Sequence, residues 1–451
     1  MIIDDFGSFI AEMDYVRLPE DVTEAVKVRI LDLLGAGLAG VQLKNTKQLL
    51  PILNKADEAT GWGESQKLTL RDAVIFNSFA SHSTYLEDGS RYTGGHPSSV
   101  VIPSVIAYAE YKNLTGRKVI SAIAAGYELF LRLGRAIYPS TVERGFKSTA
   151  VLGAVSSAAG VAHLMGFDKI RAKNAIAIAC NLGVGLKESL KASSSEPIQV
   201  ARTSEAGLIA ALFSGQGAEG ASSIIENGFL RAFADDVSTE EILADLGSNF
   251  RIHETYLKTH GGCRGNHAPV DAIQDLILEN KFIEKDISEI EVQVDSVTYD
   301  AEIHHPHNGA QAQFSVAFAI ASVLLDGNAS IFQYSDSKIA DPRIRDLMSR
   351  IQVKVNKSLD VDYPDKRGAY VRVKMKNGEE LSGSIDNAKG EPECPLSMAQ
   401  IESKFITLSS GLLGCDASKV MDLVLNIDKV ADVSTLMSLM NPRKQNLLFG
   451  A

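Results

Sequence analysis

The spacing of apolar residues divides the chain into two kinds of structure. Up to about residue 250, apolar positions recur at helical intervals. The stretches "KVISAIAAGYELFLRLGRAI" (118–137), "TAVLGAVSSAAGVAHLMG" (149–166) and "RAKNAIAIACNLGVGL" (171–186) are rich in Ala, Leu and Ile, with thin polar faces. Helices that are apolar on most sides are buried by other helices, and small residues let them approach closely. No fixed-period repeat is present, so this half predicts a helical core rather than a solenoid.

The period changes beyond residue 267. "APVDAIQDLILENK" (268–281) predicts an amphipathic helix. In "SEIEVQVDSV" (288–297), Ile290, Val292 and Val294 alternate with Glu291, Gln293 and Asp295, the period of a half-buried strand. "RIQVKVN" (350–356) alternates likewise, and in "YVRVKMKNGEELSGSI" (370–385) two alternating runs flank Asn377-Gly378, a hairpin signal. Helical spacing returns in "LSMAQIESKFITLSSGLL" (396–413) and continues to the end.

The expected fold is mostly α. A large helical domain is closed by both chain ends (1–254 and 395–451), and a smaller α+β lid domain (255–394) is inserted between them. Two chain crossings predict hinges near residues 250–258 and 393–397. A cleft between the bodies is the default ligand site.

Charge and cysteine content narrow the function classes. The 451-residue chain carries a net charge of −11, which argues against a nucleic-acid partner. A locally basic pocket for a small anion remains compatible with that balance. Cys180, Cys263, Cys394 and Cys415 are scattered without a CxxC pair and read as reduced thiols of a cytoplasmic protein. The opening residues are acidic and mixed, unlike a secretion signal. No run of about 18 apolar residues predicts a membrane span.

Four polar clusters interrupt the apolar pattern. "SHSTYLEDGSRYTGGHPSSVVIP" (81–103) holds His82, Tyr85, Glu87, Asp88, Arg91 and His96 around glycines. It reads as a loop in which Ser98 or Ser99 caps the next helix, or as a site in which His96 works as acid or base near neutral pH. In "ERGFKSTAVLG" (143–153), Lys147 precedes an apolar helix and opposes its dipole, a conflict that a bound anion would resolve. "KASSSEPIQVARTSEAG" (191–207) offers Glu196, Gln199 and Arg202, with Glu196 also reading as a plain surface charge. "YLKTHGGCRGNHAP" (256–269) offers Lys258, Cys263, Arg264 and His267 beside Gly261 and Gly262. There the glycines allow close approach to a ligand. Arg264 presents a fork suited to a carboxylate, and Lys258 becomes a base if buried. Cys263 also reads as an ordinary buried thiol and His267 as a cap.

No metal or organic cofactor is expected. "HHPH" (304–307) lacks a partner cluster at zinc-ligand spacing, and nucleotide-binding and nucleophile-elbow glycine motifs are absent.

Taken in order, "HSTYLEDG…GGHPSSVVIPSVIAYAE…AAGYELFLRLGRA…RGFKSTAVLGAVSSAAGVAHLMG", "YLKTHGGCRGNHAPVDA", "QAQFSVAFAIASVLLDG" and "PECPLS" resemble the MmgE/PrpD family over nearly the whole chain. That resemblance implies a helical domain with an α+β lid, usually a homodimer without cofactors. It also implies dehydration, decarboxylation or epimerisation of small polyacids such as 2-methylcitrate, cis-aconitate or iminodisuccinate. The polar pattern carries over only in part. His82, His96, Glu87, Asp88, Lys258 and Tyr299 keep it. Tyr85 stands where the pattern has Asp, Lys147 where it has His, Glu196 where it has Lys and Gln199 where it has His. Charge is redistributed rather than lost, which implies a changed reaction or substrate.

The shared chemistry is a carbanion or enediolate formed beside a carboxylate, which needs a base in reach and positive charge on the carboxylate. Lys258, His96 and Tyr299 are the acid–base candidates. Arg264, Lys147 and Arg202 are the candidate carboxylate anchors, with Tyr85, Glu196, Cys263 and His267 completing the substrate contacts. Groups on opposite faces of the carbon would epimerise it, and a leaving group at the β-carbon would turn the same groups to elimination. A non-catalytic binding protein of the same fold is the remaining alternative.

Overall fold

The computed structural model describes residues 1–191 and 195–441. The serines at 192–194 and the expected helical ending at 442–451 lie outside the described residues. Within that range the chain is mostly α, as its apolar spacing predicts. The helix Ser148–Leu164 lies at the centre, packed by Gly116–Ile137, Ser98–Tyr111, Lys169–Ala179 and Ser195–Gly215. Its small residues allow this crowding: a Cβ on Gly207 would stand 2.4 Å from the Ala154 carbonyl oxygen. Leu152 and Val155 are buried at its core, where truncation to Ala costs about 2–5 kcal/mol for the leucine.

The run at 171–186 is not one helix. It folds as Lys169–Ala179, and residues 180–186 then leave the helical path. Gly183 passes so close to the central helix that a Cβ would lie 2.5 Å from the Val151 carbonyl oxygen. Leu182, Val184 and Leu186 are left exposed. A short strand, Lys55–Ala59, also interrupts the helical half.

The alternating segments form one four-stranded sheet, ordered Ile351–Val355, Ile287–Val294, Ala369–Met375, Glu380–Ile385. The first pair is parallel, with Val292 opposite Val353; the other two pairs are antiparallel. The hairpin turns at Asn377-Gly378, where Gly378 has φ of 90°. The helices His267–Asn280 and Val316–Asp326 cover the buried face. After the sheet, Met398–Leu413 returns to the helical body and packs on Glu20–Val41. Ala36, Ala39, Leu86 and Leu408 of that body join the core of the sheet unit, so the two pack directly. No helix among the described residues is long and apolar enough to cross a membrane.

Candidate active site

The first polar cluster begins where the helix Leu70–His82 ends. His82 closes it, and the chain then turns through Tyr85 in the left-handed region, with φ of 48°. A bulky residue held there is strained and must be fixed by its surroundings. The Tyr85 ring meets Phe314 edge-on, and its hydroxyl donates to Glu196 Oε2 at 2.8 Å. The turn delivers Glu87 and Asp88 into the interior, both without exposed surface.

Asp88 does what the sequence assigned to Ser98 or Ser99. The helix Ser98–Tyr111 has no side-chain cap of its own; instead Asp88 Oδ1 accepts the Ser98 amide at 3.1 Å and Oδ2 accepts the Tyr127 hydroxyl at 2.8 Å. The Asp88 backbone carbonyl accepts His96 Nδ1–H at 2.7 Å. That bond sets the His96 tautomer and leaves Nε2 as the ring's free lone pair.

Glu196 is not a surface charge. It sits in the first turn of the helix Ser195–Gly215 and is buried. Its Oε1 takes His82 Nε2 at 2.8 Å and Lys147 Nζ at 2.6 Å. The anion that Lys147 requires at its helix N-terminus is therefore the protein's own carboxylate. Of the four residues that replace the family pattern, Tyr85 and Lys147 both bond Glu196, whereas Gln199 bonds the Leu186 amide and the Ser189 hydroxyl. On its other side, His82 Nδ1 approaches Glu87 Oε1 to 2.6 Å. This contact is a close ion pair without hydrogen-bond alignment, and Glu87 Oε2 has no donor at all.

Lys258 enters from the strand-like segment that pairs Tyr256 with Gly89. It is buried, and Nζ donates to the carbonyl oxygens of Tyr85 at 2.8 Å and Gly262 at 3.4 Å. Two N–H directions are thus used, and the third direction of a neutral amine is its lone pair. Cys263, partly buried, is an electrostatic neighbour of Lys258 and Tyr85. The close approach made possible by the glycines is to the protein itself: Gly262 has φ of 91°, and a Cβ there would stand 2.4 Å from the Gln313 carbonyl oxygen.

Arg264 uses its fork on a carboxylate, and that carboxylate is Glu391. Nε bonds Glu391 Oε1 at 2.8 Å, while the terminal nitrogens reach the Ala388 and Lys389 carbonyls and His267 Nδ1. The guanidinium also stacks over Tyr256 at 4.6 Å. From the helical body, Arg91 grips the same strap through Glu391 and Glu393. His267 opens its helix rather than capping it; its Nε2 is buried without a partner.

Two candidates stand apart from this cluster. Arg202 is mostly exposed and pairs with Glu205 at 2.8 Å. Tyr299 packs at a tilt against His304 and lines a cavity of about 800 Å³ with His305, His307 and Arg345. Glu391, Glu393 and Tyr256 are site neighbours that the sequence reading did not single out. Paired glutamates in a Gly/Pro linker were the one available signal for the first two.

Burial and pairing set the protonation states. Burial alone would suppress the charge on His82, but Glu196 and Glu87 outweigh it and raise its pKa, holding an imidazolium between two carboxylates. Burial would raise Glu87, yet His82, His96 and Lys258 bring it down to about 2. Glu196 is likewise held well below the usual range by His82 and Lys147 against its burial. Burial lowers Lys258 to about 8, with Arg264 and Lys147 adding to the effect and Glu87 opposing it. Burial and the Lys258 charge lower His96 to about 3, so its ring is neutral. Burial raises Asp88 to about 6. The arrangement offers one buried amine of tuned basicity and one neutral imidazole; Tyr85, whose carbonyl accepts from Lys258, also lines a cleft of about 560 Å³ with Ser83, Gln313 and Tyr334.

The chain is similar to known proteins over nearly its whole length. Residues 4–241 match the MmgE/PrpD N-terminal domain and residues 260–429 the MmgE/PrpD C-terminal domain. The cis-aconitate decarboxylase of Aspergillus terreus is 27% identical over 458 residues, spanning 94% of this chain and 92% of that protein. The cis-aconitate decarboxylase of Homo sapiens is 24% identical over 468 residues, spanning 97% and 94%. That of Mus musculus is 22% identical over 454 residues, spanning 96% and 91%. With both domain models matched in order along one chain, the protein belongs to the MmgE/PrpD family.

Proposed function

We propose that the protein is a cofactor-independent lyase or isomerase that removes a proton α to a carboxylate of a small di- or tricarboxylic acid. The observation that carries this reading is Lys258, buried with its pKa brought to about 8 and two of its N–H directions held by carbonyls. A general base works best when its pKa lies near the operating pH. At pH 7.5 about a quarter of such an amine is free base. His96 Nε2 is the second proton-transfer group, oriented by the Asp88 carbonyl. The relatives named for cis-aconitate decarboxylation support a lyase reaction. Tyr85 and Lys147, both bonded to Glu196, favour a substrate or outcome different from theirs, with epimerisation the principal alternative.

The test is deuterium incorporation from heavy water, followed by NMR over citrate, 2-methylcitrate, cis-aconitate and iminodisuccinate. Exchange with inversion assigns an epimerase, and loss of water or carbon dioxide assigns a lyase. An acid that binds without exchange or turnover refutes the reading.

The reading includes a cytoplasmic homodimer built on the helical body, with the chain divided near residues 254 and 394 and the lid closing over the site. The exposed Leu182, Val184, Leu186, Ile198 and Phe213 on that body support the dimer. A monomeric mass by light scattering at micromolar concentration would remove it.

A further inference from the structure

The strand Ile351–Val355 forms one edge of the sheet, and among the described residues it pairs only with Ile287–Val294. The Ile290 amide donates to the Arg350 carbonyl, and the Asn356 amide donates to the Val294 carbonyl, both at 2.9 Å. Bonded residues alternate along a parallel pair. Gln352 and Lys354 therefore turn their backbone groups to the sheet, and Ile351, Val353 and Val355 turn theirs away from it. Nothing among the described residues pairs with that outer side. An open row of N–H and C=O groups is a template for an added strand, and proteins usually blunt it.

The cavity of about 800 Å³ that Tyr299 lines also takes in four consecutive residues of this strand, Ile351 to Lys354. Around it stand His304, His305 and His307, the motif for which the reaction site has no use, and Arg345 of the helix Pro342–Ser349. Among the described residues lining it there is no Asp or Glu. Lys354 is held by Glu291 of the neighbouring strand. The Arg345 guanidinium reaches only the Ile339 carbonyl, and His305 and His307 make no ion pair among the described residues. An open strand edge thus lies beside basic side chains that lack carboxylate partners.

We infer that this edge takes up an extended acidic segment of a partner protein as a fifth strand, its backbone on Ile351, Val353 and Val355 and its carboxylates on Arg345, His305 and His307. The five residues of the edge span about 17 Å at about 3.3 Å per residue, which suits a short linear segment. A second copy of this chain fits poorly. Antiparallel pairing about Val353 would set Ile351 against Val355 and bring together two Lys354 and two Arg345 side chains, and like charges across an interface are costly. The cavity shares no residue with the cluster around Lys258, so uptake here is independent of the reaction.

The probe is a blocked hexapeptide of alternating glutamate and valine, titrated into the full-length protein by calorimetry. It should bind once per chain, and hydrogen exchange over residues 350–356 should slow at least about tenfold as the open amides are covered. A peptide with lysine in place of glutamate should bind at least about tenfold more weakly, and so should the fully N-methylated peptide, which keeps the charge and has no backbone donor. Val353→Pro removes an outward amide without touching the ladder, and should abolish uptake with the thermal transition kept. Arg345→Glu, at an exposed side chain, should weaken uptake at least about fivefold whether or not the proline variant folds. An N-methylated peptide that binds as tightly as its parent shows a plain anion patch and overturns the added strand. Protection of residues 350–356 that grows with protein concentration, without peptide, gives the edge to a second copy and overturns it too. No binding at about 1 mM peptide, the weak end of recognition, overturns it outright.

Discussion

Lys147 Nζ lies 2.6 Å from Glu196 Oε1, joining the N-terminus of the central helix to the first turn of the helix Ser195–Gly215. Lys147 stands where the family pattern has His and Glu196 where it has Lys, and each accounts for the other. A lysine at a helix N-terminus is unfavourable by itself, and a buried glutamate is more so; together they form a pair.

Removing one partner of a buried pair strands the other, at about 3–5 kcal/mol. Lys147→Met leaves Glu196 with only His82 and Tyr85, so it should destabilise the protein markedly in urea. Glu196→Gln on that background should recover part of the loss. A double-mutant cycle is expected to give a coupling of about 1–3 kcal/mol. Coupling near zero would show that the two are independent in solution.

The buried acids predict a steep acid limb. The folded pKa of Glu87 is about 2 against an ordinary 4.5, so the unfolded chain takes up this proton first as pH falls. The stabilisation is present in full above 4.5 and is lost as pH falls through about 2. Glu196, also lowered, acts in the same sense. His82 is raised, so its contribution is complete below 6.5 and fades as pH rises past its folded value. Urea midpoints between pH 2 and 8 should fall most sharply below 4.5, and Glu87→Gln should flatten that limb. An unchanged slope in the variant would count against the buried ion pair.

Periodicity located the elements that bury one face or are buried all round. The stretch read at 118–137 is the helix Gly116–Ile137, the run at 350–356 is the strand Ile351–Val355, and the Asn-Gly hairpin lies where its turn residues put it. The reading erred at 180–186, where apolar residues at helical spacing follow a path set by contact with the central helix. In the site, residue types were legible and partners were not. His82 and Glu196 are 114 residues apart and Arg264 and Glu391 are 127 apart, so nothing local announces either pair. Glu196 read as a surface charge because burial of a helix's first turn is decided by what packs on it.

Arg264 holds the strap that leads from the sheet unit back to the helical body. Through Glu391 and the Ala388 and Lys389 carbonyls it fixes residues 388–391. Arg264→Lys keeps the charge but gives up the fork. Hydrogen exchange at 386–397 in the ligand-free protein should then quicken by about tenfold or more, as local opening becomes easier. If exchange is unchanged while KM alone rises, Arg264 acts on the substrate and not on the strap.

Lys258 supplies the sharpest test of the chemistry. With its pKa lowered to about 8, the free amine increases as pH rises, so kcat/KM should climb with unit slope up to about 8 and level above it. The opposite assignment gives a different curve: His96, lowered to about 3, is already unprotonated throughout that range and would leave the rate flat. Lys258→Ala should cost about 10²–10⁴ in rate while the thermal transition is kept, since the side chain donates only to carbonyls that water can satisfy once the chain is shortened. Lys258→Arg, which keeps the charge and cannot lose its proton, should be as inactive as the alanine variant. A flat profile with an active Lys258→Ala would transfer the base to His96, and the same measurements on His96→Gln would then have to show the loss.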